Sequence, residues 1–306
     1  MGETWQASLP NSALGKFVAK DTLLKVLTTA SLRWSRPGTF NDPFDCQPRF
    51  QITPASDELI ELCVQELLKV IEGSIPSPSL ANPLGRLTGL MAEGILQGKL
   101  ELDEVLSEFK TGVRDVTSSR ESLLKNHHDQ VVLNLQDSKI LCLTKAYEDT
   151  LMWSHYAANH SGALIIFGPI STDSQFTLAQ PVQYLDDPLE FAEHDMLPKL
   201  LTGQISGAEP EYIKRAIHQI IFTKAKSWSY EKEWRIFAGA GFSSESEFEF
   251  NQFHLDDVLA VVFGAKYPES EIMPLIDVAS GYYSNAEWFG AGLSSSNMKL
   301  SIQSLK

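Results

Sequence analysis

Glu231, Glu233 and Arg235 stand at alternate positions in the segment Lys224-Ala225-Lys226-Ser227-Trp228-Ser229-Tyr230-Glu231-Lys232-Glu233-Trp234-Arg235-Ile236-Phe237. In an extended chain alternate side chains share a face, so the spacing predicts two carboxylates and a guanidinium in a row, with Lys232, Trp234 and Ile236 on the opposite face. Carboxylates paired in aromatic, half-buried surroundings shift in pKa and suit acid–base work or the stabilisation of positive charge. The plainer alternative is a solvated strand face laced by a salt bridge.

Two further segments combine polar groups with aromatics. In Arg33-Trp34-Ser35-Arg36-Pro37-Gly38-Thr39-Phe40-Asn41-Asp42-Pro43-Phe44-Asp45, Asn and Asp before Pro favour a turn that bonds its own backbone. The same loop could instead present Arg33, Asn41 and Asp42 to a small molecule over an aromatic floor. In Leu151-Met152-Trp153-Ser154-His155-Tyr156-Ala157-Ala158-Asn159-His160-Ser161-Gly162, His155 and Tyr156 are either core residues of a short helix or the wall of a cleft, where His155 could titrate near neutrality.

Composition bounds what these clusters can serve. Thirty-nine Asp and Glu against 25 Lys and Arg give a net charge of −14, which repels DNA, RNA and anionic lipid at long range, so neither extended nucleic acid nor membrane is expected as a partner. Cys46, Cys63 and Cys142 form neither a disulfide framework nor a zinc spacing, so a reduced, cytoplasmic setting is expected, with no metal. Walker A, GxGxxG, HExxH and GxSxG motifs do not occur.

The elements that must position the clusters follow from periodicity. Residues 15–20 and 31–35 are expected as strands around a helix capped by Asp21, and Ser56 to Gly73 is the clearest amphipathic helix. Strands are expected at 139–143, 163–167, 182–185, 233–238, 247–253, 258–264 and near 298–302. Helices are expected at 150–158, at 212–223 with Ile213, Ala216, Ile217, Ile220 and Ile221 on one face, and around 272–279. Residues 54–135 read as a helical insertion or subdomain, helical to about His127 after a proline-rich stretch at 74–83. The expected fold is one α+β domain over 1–306, its central sheet mixed or mainly antiparallel, with flanking helices.

Taken in order, Gly15-Lys16-Phe17-Val18, Leu32 to Asp45 with NDPFD, Ile140-Leu141-Cys142-Leu143, MWSHYA with Gly162, Val182-Gln183-Tyr184 and WSYEKEWR resemble a bacterial family known only as a domain of unknown function, number 2971. The strand, helix, strand and loop at its start resemble the front of ADP-ribosyltransferase-type folds. That resemblance implies NAD as substrate, gripped from the first strand, where Lys16 replaces a frequent histidine and could contact a phosphate. It also implies a catalytic glutamate, Glu233 or Glu231, which would bond the ribose and stabilise charge as the nicotinamide bond breaks, and aromatics such as Tyr156 or Trp34 that stack on a base.

The expected function is therefore an NAD-consuming enzyme, an ADP-ribosyltransferase or NAD hydrolase of the kind used as a toxin or phage-defence effector, whose macromolecular acceptor, if it has one, is not named by the sequence. Glu233, Glu231 and His155 are its candidate catalytic residues. Lys16, Arg33, Trp34, Asn41, Asp42, Tyr156 and Arg235 are its candidate ligand contacts. Two alternatives stand beside it: a non-catalytic binding or sensory module, and a metal-dependent nuclease or phosphoesterase on Asp42, Asp45, Glu231 and Glu233.

Overall fold

Ala163–Phe167 and Val258–Phe263 carry no polar side chain, and both become interior strands of one large sheet. A strand buried on both faces needs an unbroken apolar run, which these segments supply. The computed structural model describes residues 5–47, 56–75, 83–118, 131–187, 198–199, 202–204, 210–243, 245–294 and 299–305.

In chain order the strands are β1 (Leu14–Val18), β2 (Ser31–Ser35), β3 (Ile140–Thr144), β4 (Ala163–Phe167), β5 (Gln180–Pro181), β6 (Gln183–Leu185), β7 (Thr223–Ala225), β8 (Glu233–Phe237), β9 (Phe248–Gln252), β10 (Val258–Phe263), β11 (Glu287–Leu293) and β12 (Leu300–Ser304). The helices are α1 (Lys20–Thr29), α2 (Asp57–Ile71), α3 (Pro83–Leu96), α4 (Leu102–Ser118), α5 (Thr150–Tyr156), α6 (Pro210–Ile221) and α7 (Glu269–Ala279). The fold is α+β: the large sheet runs β12-β11-β10-β4-β1-β3-β2-β9, with β8 on β3 and β5 on β8, and it is antiparallel except for β10 with β11.

The chain forms two compact units. The first comprises 1–46, 135–186 and 221–306, and the second 47–134 and 187–220. The second unit holds α2, α3, α4 and α6 up to Ile220. Ser56 caps α2 by accepting from Leu59 N–H, and Leu59, Ile60 and Cys63 pack with Val113 of α4. Residues 76–82 and 119–127 of the expected loop and helix, Met298 of the expected last strand and the Ile213 side chain lie outside the description.

The sheet belongs to the first unit. One face packs Leu23, Val26 and Leu27 of α1 and Ile276 of α7 against Leu14, Ile165 and Val261, and the other gathers Phe17, Trp153, Leu164, Ile166 and Val262. Several expectations need correction. Asp21 is in the first turn of α1, whose N-cap is Ala19 with no side-chain bond. Residues 226–231 are a 3-10 helix, so the Lys224–Phe237 segment is extended only at Lys224–Ala225 and Glu233–Phe237. Strand β11 is not among the expected strands, because Gly290, Ala291 and Gly292 dilute its apolar pattern.

The sheet is split at β3. All five residues of β3 pair with β8, and the opposite edge meets β1 only at Gly15↔Thr144 and β2 only at Ser35↔Ile140. Lys139 donates to the Gly239 carbonyl and accepts from Ala238 N–H, and Lys145 donates to the Lys232 carbonyl, all toward the β8 side, so by alternation the Cys142 carbonyl faces the gap between β1 and β2. Lys16 Nζ donates to that carbonyl at 2.7 Å. The side chain thus satisfies a strand acceptor that no neighbouring strand reaches.

After α5 the backbone takes the left-handed conformation at three consecutive residues, Ala158 (φ 48), Asn159 (φ 56) and His160 (φ 70). Gly162 follows, where an added Cβ would lie 2.1 Å from Val18 O. The turn joins α5 to β4, with His160 Nε2 3.1 Å from Ser154 Oγ. Left-handed alanine is strained and Ala158 is exposed, so Ala158→Gly should raise stability by about 1 kcal/mol. Gly162→Ala should leave little folded protein. Thermal melts check both, and an unchanged or lower melting temperature for Ala158→Gly would refute the strain.

Candidate functional site

Strand alternation brings Glu233 and Arg235 to one face of β8, opposite Thr144 and Cys142 of β3. Arg235 is fully buried, which obliges every guanidinium N–H to find an acceptor. Nε donates to Glu233 Oε1 (2.9 Å), and Nη2 donates to Glu233 Oε2 (2.8 Å) and Asp45 Oδ2 (2.6 Å). Nη1 donates to Asp45 Oδ1 (3.0 Å) and to the Ile221 carbonyl (2.6 Å), with Cys46 Sγ at 3.2 Å. Phe40 lies beneath the guanidinium, 5.6 Å from ring centre to Cζ.

Lys224, on β7, adds a second buried cation. Its Nζ reaches Glu231 Oε2 at 2.6 Å, Glu233 Oε2 at 3.1 Å and Asp45 Oδ2 at 3.4 Å, and lies over the Trp228 ring at 4.9 Å. Two cations therefore face three carboxylates. Glu231 gets there from the end of the 3-10 helix, not from the strand, because Lys232 adopts φ 44 and turns the chain into β8. Thr144 Oγ1 donates to the Glu231 carbonyl, and Tyr184 Oη accepts from Glu233 N–H at 2.8 Å.

The two glutamates differ electrostatically. Burial alone would raise Glu233, but Arg235, and after it Lys224, overcome this and hold its carboxyl at about 2. For Glu231 burial prevails over the pull of Lys224, and its pKa lies above the ordinary carboxylate value. Environments that push two carboxyl groups apart assign them different roles: Glu233 a fixed anion, Glu231 a group able to exchange a proton. The Cys46 and Cys142 thiols are pushed up by burial and stay protonated, so neither is an activated nucleophile.

A polar path leads outward from Glu231. Tyr156 Oη donates to Glu231 Oε1 at 2.6 Å, and exposed Asn41 donates from Nδ2 to Tyr156 Oη at 3.1 Å. Burial, then Glu231, raises the Tyr156 phenol, which keeps it a neutral donor. His155 is exposed next to Tyr156, the ring centres 6.3 Å apart. Lys16 is half-buried at the split, its pKa lowered by burial against the pull of Cys142, Glu233 and Glu231.

The structure thus gathers Glu231, Glu233, Arg235, Tyr156 and Asn41, with Lys16 nearby. Trp34 does not join them: it is 3% exposed in the apolar core beneath the sheet, and cannot stack on a ligand there. Asp42 is also buried and serves its own loop, accepting from Phe44 N–H at 2.9 Å. Arg33 is exposed on β2, over Phe248. Lys224 and Tyr184 are additions; the proximity of Lys224 to the WSYEKEWR motif and the place of Tyr184 in the Val182-Gln183-Tyr184 segment were the available signals.

Unequal roles predict unequal variants. Glu233→Gln leaves Arg235 and Lys224 short of charge in a buried site and should cost about 3–5 kcal/mol, whereas Glu231→Gln leaves Lys224 paired with Glu233 and Asp45. The depressed Glu233 stabilises above its unfolded value, about 4.3, and that contribution is lost as pH falls toward about 2. The raised Glu231 has the opposite sign: its contribution is full below about 4.3 and declines as pH rises through its folded pKa. Relative to wild type, Glu231→Gln should therefore gain stability as pH rises from 4 to 8. Denaturant melts across that range measure this, and parallel curves for the two proteins would contradict it.

No curated protein and no solved structure matches the chain. Over residues 152–236, from α5 through Glu231, Glu233 and Arg235, the chain matches the model of the family described as protein of unknown function (DUF2971).

Proposed function

We propose that the chain cleaves the N-glycosidic bond of an NAD-type nucleotide, passing ADP-ribose to water or to an acceptor. The observation that carries this reading is Glu231: a carboxyl raised in pKa, bonded to Lys224 and, through Tyr156, linked to exposed Asn41. Breakage of the C1′–N bond leaves its electron pair on neutral nicotinamide and positive charge on the ribose. An anionic Glu231 stabilises that charge, then takes the proton of the water that attacks C1′. Glu233, Arg235 and Asp45 hold Glu231 and Lys224 in place without reacting. Tyr156 and Asn41 supply polar contacts at the rim. Loss of NAD in a cytoplasmic setting would suit a toxin or defence effector.

A second reading has its own observation. Every Arg235 N–H is satisfied by the chain itself, as expected if the network is architecture within a binding or sensory module. The metal-dependent reading is less favoured by the donors: Asp45 and Glu233 already face Arg235 and Lys224, and Asp42 faces a backbone N–H. A divalent ion would have to displace two fixed cations.

Nicotinamide release from NAD by the full chain, followed chromatographically, tests the proposal. Glu231→Gln should lower the rate about 100-fold or more without lowering the melting temperature appreciably. Absence of release between pH 5 and 9, or a Glu231→Gln variant as active as wild type, would remove the glycosidic reading. A melting temperature lowered by several degrees in an inactive Glu231→Gln would favour the module.

A further inference from the structure

The sheet face that carries Glu233 and Arg235 continues past the buried network. Arg235 lies opposite Cys142; Ile140, on the same face of β3, lies opposite Ser35; and along β2 and β9 Ser35 pairs with Phe248 and Arg33 with Phe250. Directly opposed side chains share a face, so Glu233, Arg235, Cys142, Arg33, Phe248 and Phe250 all project to one side of the sheet. At β9 the character changes from buried to open. Phe250 is 65% exposed and Phe248 41%.

These rings are not scattered surface residues. Their centres are 6.2 Å apart at 79°, and the Arg33 guanidinium stands 5.6 Å above the Phe248 ring. Arg33 is exposed and has no carboxylate partner among the described residues, and its charge is close enough to help lower the Lys16 pKa. Strand β9 ends the sheet on this side. Edge strands are usually blunted by charge or proline, so two phenylalanines and an uncompensated arginine there call for a ligand with a flat apolar face and negative charge.

We propose that Arg33, Phe248 and Phe250 form the subsite for the purine base and phosphate of the nucleotide, the base stacking on the phenylalanines and the phosphate meeting Arg33. The subsite rests on the reading of Glu231 as the carboxylate acting on an NAD-type nucleotide. Bases stack on aromatic side chains without needing base-specific bonds, and a guanidinium offers a phosphate two parallel N–H donors. With paired strands spaced by about 4.8 Å, β9 is at least about 14 Å from β8, since β2 meets β3 only at Ser35↔Ile140. Two bases joined through a pyrophosphate can span that reach with one glycosidic bond near Glu231, whereas a mononucleotide is held at one end alone.

Calorimetric titration of adenosine 5′-monophosphate into the full chain tests the subsite apart from the chemistry, because this probe has the base and phosphate but no nicotinamide bond. Phe250→Ala and Phe248→Ala should each weaken binding at least about fivefold, the factor equivalent to about 1 kcal/mol of stacking. Arg33→Gln, which leaves both rings in place, should weaken it comparably at low salt and less at high salt. Phe242→Ala, which removes a ring 91% exposed between β8 and β9, should bind as wild type. No binding by wild type at millimolar nucleotide, or equal binding by the Phe250, Phe248 and Arg33 variants, overturns the subsite even if nicotinamide is released. Binding lost in those variants, with no nicotinamide released by wild type, keeps the subsite and removes the glycosidic reading. A wild-type dimer that Phe250→Ala converts to monomer, with nucleotide affinity unchanged, overturns the proposal in favour of an edge for self-association.

Discussion

A guanidinium withdrawn from water holds its surroundings to a narrow geometry, because each N–H left without an acceptor is costly. Arg235 imposes that condition on the first unit. It draws Asp45 from the NDPFD loop, Glu233 from its own strand and the Ile221 carbonyl that ends α6 to within 3.0 Å. The loop is consequently anchored at its last residues. Asn41, four positions before Asp45, is thereby held where it can bond Tyr156.

The charge arithmetic of this network explains why its two glutamates behave differently. Asp45, Glu231 and Glu233 share Lys224, whereas Arg235 serves only Asp45 and Glu233. Glu231 is thus the carboxylate with one cation instead of two, and it is the one whose pKa rises. The split in the sheet has a related consequence. It leaves the Cys142 carbonyl without a strand partner and lets Lys16 come to it, which places a cation in the gap between strands without pairing it to Glu231.

The sequence made parts of this arrangement readable, and the physical reasons differ from part to part. Unbroken apolar runs at 163–167 and 258–263 and the Ser56 cap are local signals, and those elements formed where the pattern put them. The grouping of Glu231, Glu233 and Arg235 was also readable, though through the wrong geometry for Glu231, since the left-handed turn at Lys232 cannot be inferred from alternation. Trp34 differs from expectation because an aromatic beside arginines looks the same in sequence whether it faces the core or a cleft; its parity on β2, shared with Leu32, decides. Pairing across long separations was not readable. Strands β8, β9 and β10 follow one another in sequence yet pair with β3, β2 and β4, and the meeting of Asp45 with Arg235 spans 190 residues.

The acidic excess of the whole chain then takes on a local meaning. Asp57, Glu58 and Glu61 lie on α2, and Asp103 and Glu104 at the start of α4, all in the second unit, whereas the sheet face bearing the network carries Arg235 and Arg33, and Lys224 reaches that network from β7. A stability argument alone does not account for that face, because buried ion pairs are often matched or bettered by apolar residues of similar volume. An apolar replacement would lose the one property the network confers on Glu231: a carboxyl fixed by Tyr156 and Lys224, short of a full set of cations, and able to change charge while Glu233, Lys224 and Arg235 hold theirs. A site that must meet positive charge developing on a ligand requires a group of that kind.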